Sequence, residues 1–482
     1  MASIKRNFAY NVLLNLSKVI FPLITAPYIS RVLEPDGIGL LNFANTYAGY
    51  FALFAVLGIP TYGIREVAKI HEDKNRLSRL VSELISVSFI ATFIVTLIYV
   101  ASIFLIGQLD ENRMLFLVTG FLLYLAPLRI DWFYSGLEQF KYITLRTVII
   151  RIISIVCMFV FVRTKSDLLV YVILNVGGTI CGDVWNYVKL LQSGIKPKLT
   201  FVGLKKHLSP LFLLFASSVA ISIYQVLDTL MLGFMADYQQ VGFYNSATHI
   251  SKAVISIVGS LSAVALPKMS QCYKAKEIDR INDLVSKSFL LVSFIALPAT
   301  IGLACLAPTF VPLFFGAKFS GTIIPLMILS LLIVIIGLNG IPCIQILVGL
   351  GYDRLFCYAV LVGGVSNFLL NLILIPTWGA NGAAIASVCA ETLVLGSSVW
   401  YVYHKTPVHL KVSWLNLFKS LFGALLFLPT ILLLGQFLGG WMLVAVFILV
   451  GFSIYMFSQM ILKNQSLDLF MPIILQKLRR QR

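Results

Sequence analysis

Along nearly the whole chain, apolar residues run unbroken for long enough to cross a lipid bilayer, and polar residues gather between the runs rather than alternating within them. Leu84 to Ile106, Phe289 to Ala317 and Phe356 to Ala390 are examples; about 20 such residues span the hydrocarbon. A backbone in lipid must satisfy its own hydrogen bonds, which restricts a spanning chain to helices or closed barrels. Runs this solid fit helices, because barrel strands are short and alternate. Splitting the runs at charged or turn-rich breaks predicts about fourteen helices, at roughly 9–30, 38–62, 80–106, 114–134, 143–162, 168–190, 208–235, 241–267, 285–307, 321–349, 355–375, 380–403, 415–437 and 440–462. The predicted fold class is an all-α polytopic membrane protein.

Composition agrees. Of 482 residues, 59% are apolar and 12% charged, whereas soluble domains carry about 25% charged residues. Lys5 and Arg6 precede an apolar segment as in a signal peptide, but that segment is long, contains Lys18 and lacks a small-x-small cleavage site, so it reads as a retained first helix. The seven cysteines and five histidines show no metal-ligand spacing, and the cysteines read as small buried hydrophobes. No catalytic, metal or cofactor motif is present, and no loop is long enough to fold separately.

Charge sets the predicted orientation. Lys5 and Arg6, the segments 63–79, 135–146, 189–207, 268–287, 351–354 and 404–411, and the tail from Lys463 hold about 27 of the 37 basic residues. The opposite loops hold about five, namely Arg31, Arg113, Arg163, Lys165 and Lys318. Both termini are therefore expected in the cytoplasm. The net charge of +17 follows from this topology and from attraction to anionic headgroups, without any need for a nucleic-acid partner.

A weak repeat appears at an offset of about 203 residues: Gly39-Leu40-Leu41-Asn42-Phe43-Ala44 aligns with Gly242-Phe243-Tyr244-Asn245-Ser246-Ala247, and Arg65 falls on Lys268. Each segment opens the second helix of a six-helix set. The expected organisation is an N-lobe over 1–207, a C-lobe over 208–411, and two further helices with a basic tail over 412–482. Halves repeated in the same orientation are related by an axis along the membrane normal, with a site between them near the midplane.

Charge inside the spans is the candidate chemistry, since an ionisable side chain at a helix centre costs about 2.5–3.5 kcal/mol on insertion scales. Lys18 falls in the first predicted span, Arg151 in the fifth, and His249 and Lys252 share one face of the eighth. With Arg31 at the end of the first span, these are the candidate ligands for phosphate or pyrophosphate oxygens. Asp228, Asp183 and Glu391 are candidate counter-ions or groups coupled to protons or sodium ions. Arg129 and Asp131 fall near a span end, where a structural role is expected. Pro22 and Pro27 in the first span, and Gly340 with Pro342 in the tenth, mark candidate hinges. The turn Pro376-Thr377-Trp378-Gly379-Ala380-Asn381-Gly382 reads as a tight connection between two spans.

At several blocks the chain resembles the Wzx-type polysaccharide flippases of the multidrug/oligosaccharidyl-lipid/polysaccharide exporter superfamily. The first are Asn15-Leu16-Ser17-Lys18, Pro22, Pro27-Tyr28-Ile29-Ser30-Arg31-Val32-Leu33, Gly37-Ile38-Gly39, Asn42 and Tyr62-Gly63-Ile64-Arg65-Glu66-Val67-Ala68. Later ones are Asp228-Thr229-Leu230-Met231-Leu232-Gly233, Val241-Gly242-Phe243-Tyr244-Asn245, Pro267-Lys268-Met269-Ser270, Asn371, Ile375-Pro376 and Gly379-Ala380-Asn381-Gly382-Ala383-Ala384. The resemblance implies a two-lobed fold with a cationic central cavity. It also implies transfer of an undecaprenyl-pyrophosphate-linked oligosaccharide across a bacterial plasma membrane, for O-antigen, capsule or exopolysaccharide assembly alongside a polymerase. Lys18 matches a basic position of the family's first helix, but no second cation follows before Arg31, and Glu34 stands where the family more often has glycine. An ion-coupled multidrug exporter of the same superfamily and a membrane-embedded polysaccharide polymerase or transferase are the competing readings. The first expects a net acidic cavity; the second expects a large outer loop or a carboxylate cluster.

Overall fold

The computed structural model describes residues 4–469, in which the side chains of Lys18 and several other helical residues lie outside the described set, as does the basic tail beyond residue 469. The described residues are helices joined by short connections, with no strand among them. Contacts divide the chain into two compact units, Met1–Phe234 and Met235–Arg482. Helix 205–235 thus packs with the first unit.

The first unit opens with α1 (Ile4–Val56), 53 residues that stay helical through Pro22 and Pro27 and break at Glu34. There φ is 60° and ψ 174°, followed by Pro35. This region of backbone space is nearly confined to glycine, and proline further restricts the residue before it. The break divides α1 into the two predicted spans. Gly58, at φ 74°, then turns the chain into α2 (Ile59–Lys69), and the helices on either side of this turn differ in direction by 40°. The helix α3 (Lys74–Leu105) is capped by Asp73, which accepts from the backbone N–H groups of Asn75 and Arg76.

The predicted span 114–134 is not one helix. Short helices α4 (Gly107–Asp110), α5 (Arg113–Thr119) and α6 (Phe121–Tyr124), a 3-10 turn over Ala126–Leu128 and α7 (Asp131–Gly136) share that stretch. Pro127 removes a donor there, and Gly120 lets the Tyr99 and Tyr124 rings approach its backbone. The unit closes with α8 (Phe140–Phe161), α9 (Leu168–Gln192) and α10 (Lys205–Met235). Its core sets Tyr62 and Val67 of α2 and Leu77, Val81 and Leu84 of α3 against Trp132 and Phe133 of α7.

The second unit comprises α11 (Tyr238–Lys274), α12 (Ile278–Phe315), α13 (Ile323–Asn339), α14 (Asp353–Lys405), α15 (Trp414–Leu425), α16 (Phe427–Phe437) and α17 (Gly440–Ile461). The expected break at Gly340 and Pro342 takes the form of a nine-residue π-helix, Gly340–Val348, continuing α13. α14 joins the predicted spans 355–375 and 380–403 across a kink at Gly379, where φ is 51°. Val258, Ile281, Val285, Val292, Ile333, Ile346 and Leu347 form the buried core.

By length and apolarity alone, nine described helices can cross a membrane, or ten with the bent pair that includes α2. That criterion counts α14 once despite its kink and omits the short pieces Arg113–Leu128 and Val226–Met235, so it falls short of the fourteen spans expected from the sequence.

Candidate functional site

In the first unit, Arg151 sits about three turns into the apolar α8 and turns toward α1. Its Nη1 donates to the Ser17 carbonyl at 2.7 Å, and its guanidinium lies 5.6 Å from the centre of the Phe21 ring. One N–H is thus satisfied while the planar group keeps further donors for an anion. The contact puts Arg151 beside the stretch of α1 that carries Lys18. Arg31 is exposed and folds back on its own helix, with Nη1 donating to the Pro27 carbonyl at 2.7 Å.

Asp183 was a candidate counter-ion for Lys18, Arg151 or Lys252, but it is buried on α9 with Arg129 at 3.6 Å. Next to it, Asp131 accepts from Arg146 Nη2 at 2.9 Å and from Asn186 Nδ2 at 2.7 Å, and Arg146 Nη1 donates to the Gly182 carbonyl at 3.0 Å. Arg146, which the sequence placed in a basic loop, is 6% exposed. It is held inside the unit because α8 begins at Phe140 and carries it onto the α9 face. Asp228 is buried on α10, within electrostatic reach of Tyr50, whose hydroxyl donates to the Ser222 carbonyl at 3.2 Å.

In the second unit, His249 and Lys252 are both exposed one turn apart on α11, and Lys252 lies close enough for its charge to act on the imidazole. Glu391 is half-buried on α14, near Cys343 of the π-helix. Pro342 is buried within that helix. No group of three metal-ligating residues occurs among the described residues.

Sequence reasoning passed over the most heavily connected acid. Glu83, 2% exposed on α3, accepts from Arg79 at 3.1 Å, from Lys206 at 2.8 Å and from His207 Nε2 at 2.9 Å. The opposite nitrogen of His207 pairs with the Tyr62 hydroxyl at 2.8 Å. Two serines on the same face of α3 hold the preceding segment, Ser82 accepting from the Lys198 N–H at 3.1 Å and Ser86 from the Thr200 N–H at 2.9 Å. The signal was a lone carboxylate at the start of an apolar run, with a basic segment later in the chain to neutralise it.

Membrane-length helices in two compact units, with ionisable side chains set into those helices, define a polytopic membrane protein. Solved structures of two membrane transport proteins share this fold. A solved structure titled as the lipid II flippase MurJ matches with a TM-score of 0.73 at 16% identity, over 94% of this chain and 98% of that one. An inward-facing multidrug resistance transporter of the MATE family matches with a TM-score of 0.59 at 15% identity, over 79% and 93%.

The chain belongs to the polysaccharide biosynthesis protein family, which matches residues 4–273. An Escherichia coli (strain K12) protein named for O-antigen transport is 26% identical over 83% of this chain and 97% of its own length. A Haloferax volcanii protein named as a low-salt glycan biosynthesis flippase is 24% identical over 46% of each chain. These relatives bear out the resemblance read from the blocks that run in order along the chain.

Proposed function

We propose that this protein flips a lipid-linked oligosaccharide with an anionic head from the inner to the outer leaflet of a bacterial plasma membrane, in the assembly of a surface polysaccharide. The observation that carries the reading is family membership at nearly full-length correspondence with a protein named for O-antigen transport. Arg151 supports it: a guanidinium inside a membrane-length helix, half-buried and, among the described residues, tied to α1 through Nη1, suits phosphate oxygens. Taking a phosphorylated head through hydrocarbon is prohibitive unless fixed charge replaces its water. We assign that task to Lys18 and Arg151 in the first unit and to His249 and Lys252 in the second, with Arg31 near the outer end of the path.

Undecaprenyl pyrophosphate is the proposed carrier, and alternating access the proposed cycle. Asp228 is the proposed group through which a proton or a sodium ion drives it. The N-lobe, C-lobe and two added helices, divided at 207 and 411, remain the proposed organisation, and both termini are proposed to face the cytoplasm.

The test is accumulation of lipid-linked repeat units in the inner leaflet of cells lacking the gene, with complementation by plasmid-borne variants. The wild-type chain should clear the intermediate, and a variant with Lys18, Arg151 and Lys252 all changed to Gln should not while still reaching the membrane. Clearance by the triple variant at the wild-type rate would refute the cation assignment; absence of any accumulation in the deletion strain would refute the flippase reading.

A further inference from the structure

The π-helix Gly340–Val348 ends the spanning stretch Ala317–Val348 of the second unit, and it is unusually long for its kind. Such helices generally occur as single-turn bulges, often where function needs them. The i→i+5 pattern runs one residue past the segment, with the Gly349 N–H on the Ile344 carbonyl at 3.1 Å, and the stretch closes in a Schellman turn at Gly351, φ 86°, whose N–H bonds the Val348 carbonyl at 3.1 Å while the Tyr352 N–H bonds the Leu347 carbonyl at 2.7 Å. Between these the Leu350 N–H returns to the α pattern, bonding the Ile346 carbonyl at 2.9 Å. The wide ladder thus gives way to the α ladder between Gly349 and Leu350.

Local sequence explains why the wide form is available. Pro342 has no N–H to give the Leu338 carbonyl, so the α ladder already lacks one rung there. Gly340 carries no Cβ, and one would collide with the Ser262 hydroxyl of α11; a Cβ at Gly349 would collide with the Gln345 carbonyl. Ser270 of α11 also holds the far end, its hydroxyl donating to the Gly349 carbonyl at 2.7 Å.

One group is left unsatisfied. Gln345 is wholly buried; its Nε2 donates to Ser262 Oγ at 3.2 Å, but its Oε1 has no hydrogen-bond partner among the described residues. A buried acceptor without a donor is destabilising, so the side chain is poorly served by this conformation.

We propose that Gly340–Val348 is a two-state element: a π-helix in the conformation described here and an α-helix in another conformation of the second unit. Conversion moves each hydrogen bond from the fifth to the fourth preceding carbonyl. Because the α form holds fewer residues per turn, it lengthens the segment and rotates the start of α14 relative to α13. It also swings Gln345 away from Ser262, toward a new partner. The device rests on the transport reading for its purpose, since a carrier must alternate between conformations, but its existence is a property of the second unit alone.

The experiment measures a distance rather than transport. Spin labels replace Ile324 and Arg354, exposed residues on either side of the segment, in the full chain with its seven native cysteines changed to Ala and reconstituted in nanodiscs. Two label separations are expected. Pro342→Ala restores the missing N–H and should shift the population toward the longer one. Gln345→Leu removes the unsatisfied acceptor and should shift it toward the shorter one. A single separation unmoved by both variants, or shifts of the same sign in both, would overturn the proposal. Neither result depends on substrate, so the flippase reading stands or falls separately, on the accumulation of lipid-linked glycan.

Discussion

His207 Nε2 lies 2.9 Å from Glu83 Oε2, with the two side chains 4% and 3% exposed, and this contact fastens the start of α10 to the side of α3. Lys206 and Arg79 also reach the carboxylate, but their side chains are 53% and 70% exposed. Exposed partners contribute little because water screens them and their entropy is lost on pairing. The imidazole is different: it is buried, and the Tyr62 hydroxyl fixes its other nitrogen. The energetic weight of the cluster therefore falls on the His207–Glu83 contact.

Glu83→Gln is accordingly expected to destabilise the first unit by about 1–3 kcal/mol, the cost of leaving a buried polar partner poorly matched. Arg79→Gln is expected to change stability by less than about 1 kcal/mol. Thermal unfolding of the purified protein in detergent compares the two. Equal shifts would show that the buried imidazole is not the anchor.

Glu34 occupies backbone space that glycine adopts freely, and such a residue carries strain of about 1–3 kcal/mol. Its carboxylate recovers part of this through Lys165 at 3.3 Å, an exposed pair. Glu34→Gly should raise the unfolding midpoint by a few degrees, corresponding to a net gain of about 1 kcal/mol. Lys165→Gln serves as the control for the lost ion pair and should lower it only slightly. If Glu34→Gly lowers the midpoint more than the control does, the turn is held by the carboxylate and not strained by it.

This position also shows what the sequence could and could not disclose. The resemblance implied glycine at this place, and a φ of 60° is the backbone reason for that expectation. The apolar runs gave the long helices because lipid leaves a backbone no alternative. They did not show that the first two and the eleventh and twelfth spans run on as kinked helices, since a single residue, Glu34 or Gly379, makes each bend. For the site, sequence located the ions within spans but not their partners. Asp183 pairs with Arg129, and Glu83 with His207 from 124 residues away, contacts fixed by the packing of helices. Such pairings have no periodic signature.

The second kink has a side-chain cap from another helix. Gln240 Oε1 on α11 accepts from the Ala380 N–H at 3.0 Å, supplying the capping acceptor just after Gly379. A Cβ at Gly379 would lie 2.6 Å from that same oxygen. Gln240→Ala should therefore cost about 1 kcal/mol, and Gly379→Ala about 1–3 kcal/mol through both collision and backbone strain. Combined, the two should cost less than their sum, because the first removes what the second strikes. A thermal-unfolding double-mutant cycle measures the coupling; strict additivity would mean the glycine is required by its φ of 51° alone.

Asp183 and Asp228 are both buried acids in the first unit, yet their surroundings separate them. Asp183 already has Arg129 at 3.6 Å, within a network that includes Asp131, Arg146 and Asn186. Removing one member of a buried ion pair typically costs about 3–5 kcal/mol, less where the stranded partner can reach water, as Arg129 can at 33% exposure. Asp183→Asn is thus expected to lower stability measurably while leaving the pH dependence of flipping unchanged in the protein that remains folded. Asp228→Asn, on α10, is instead expected to flatten the dependence of flipping on pH or membrane potential. Clearance of lipid-linked repeat units across a pH series, normalised to protein in the membrane, separates the two. An unaltered profile in Asp228→Asn would remove it from any role in ion coupling, and a flattened one in Asp183→Asn would transfer that role to the Arg129 pair.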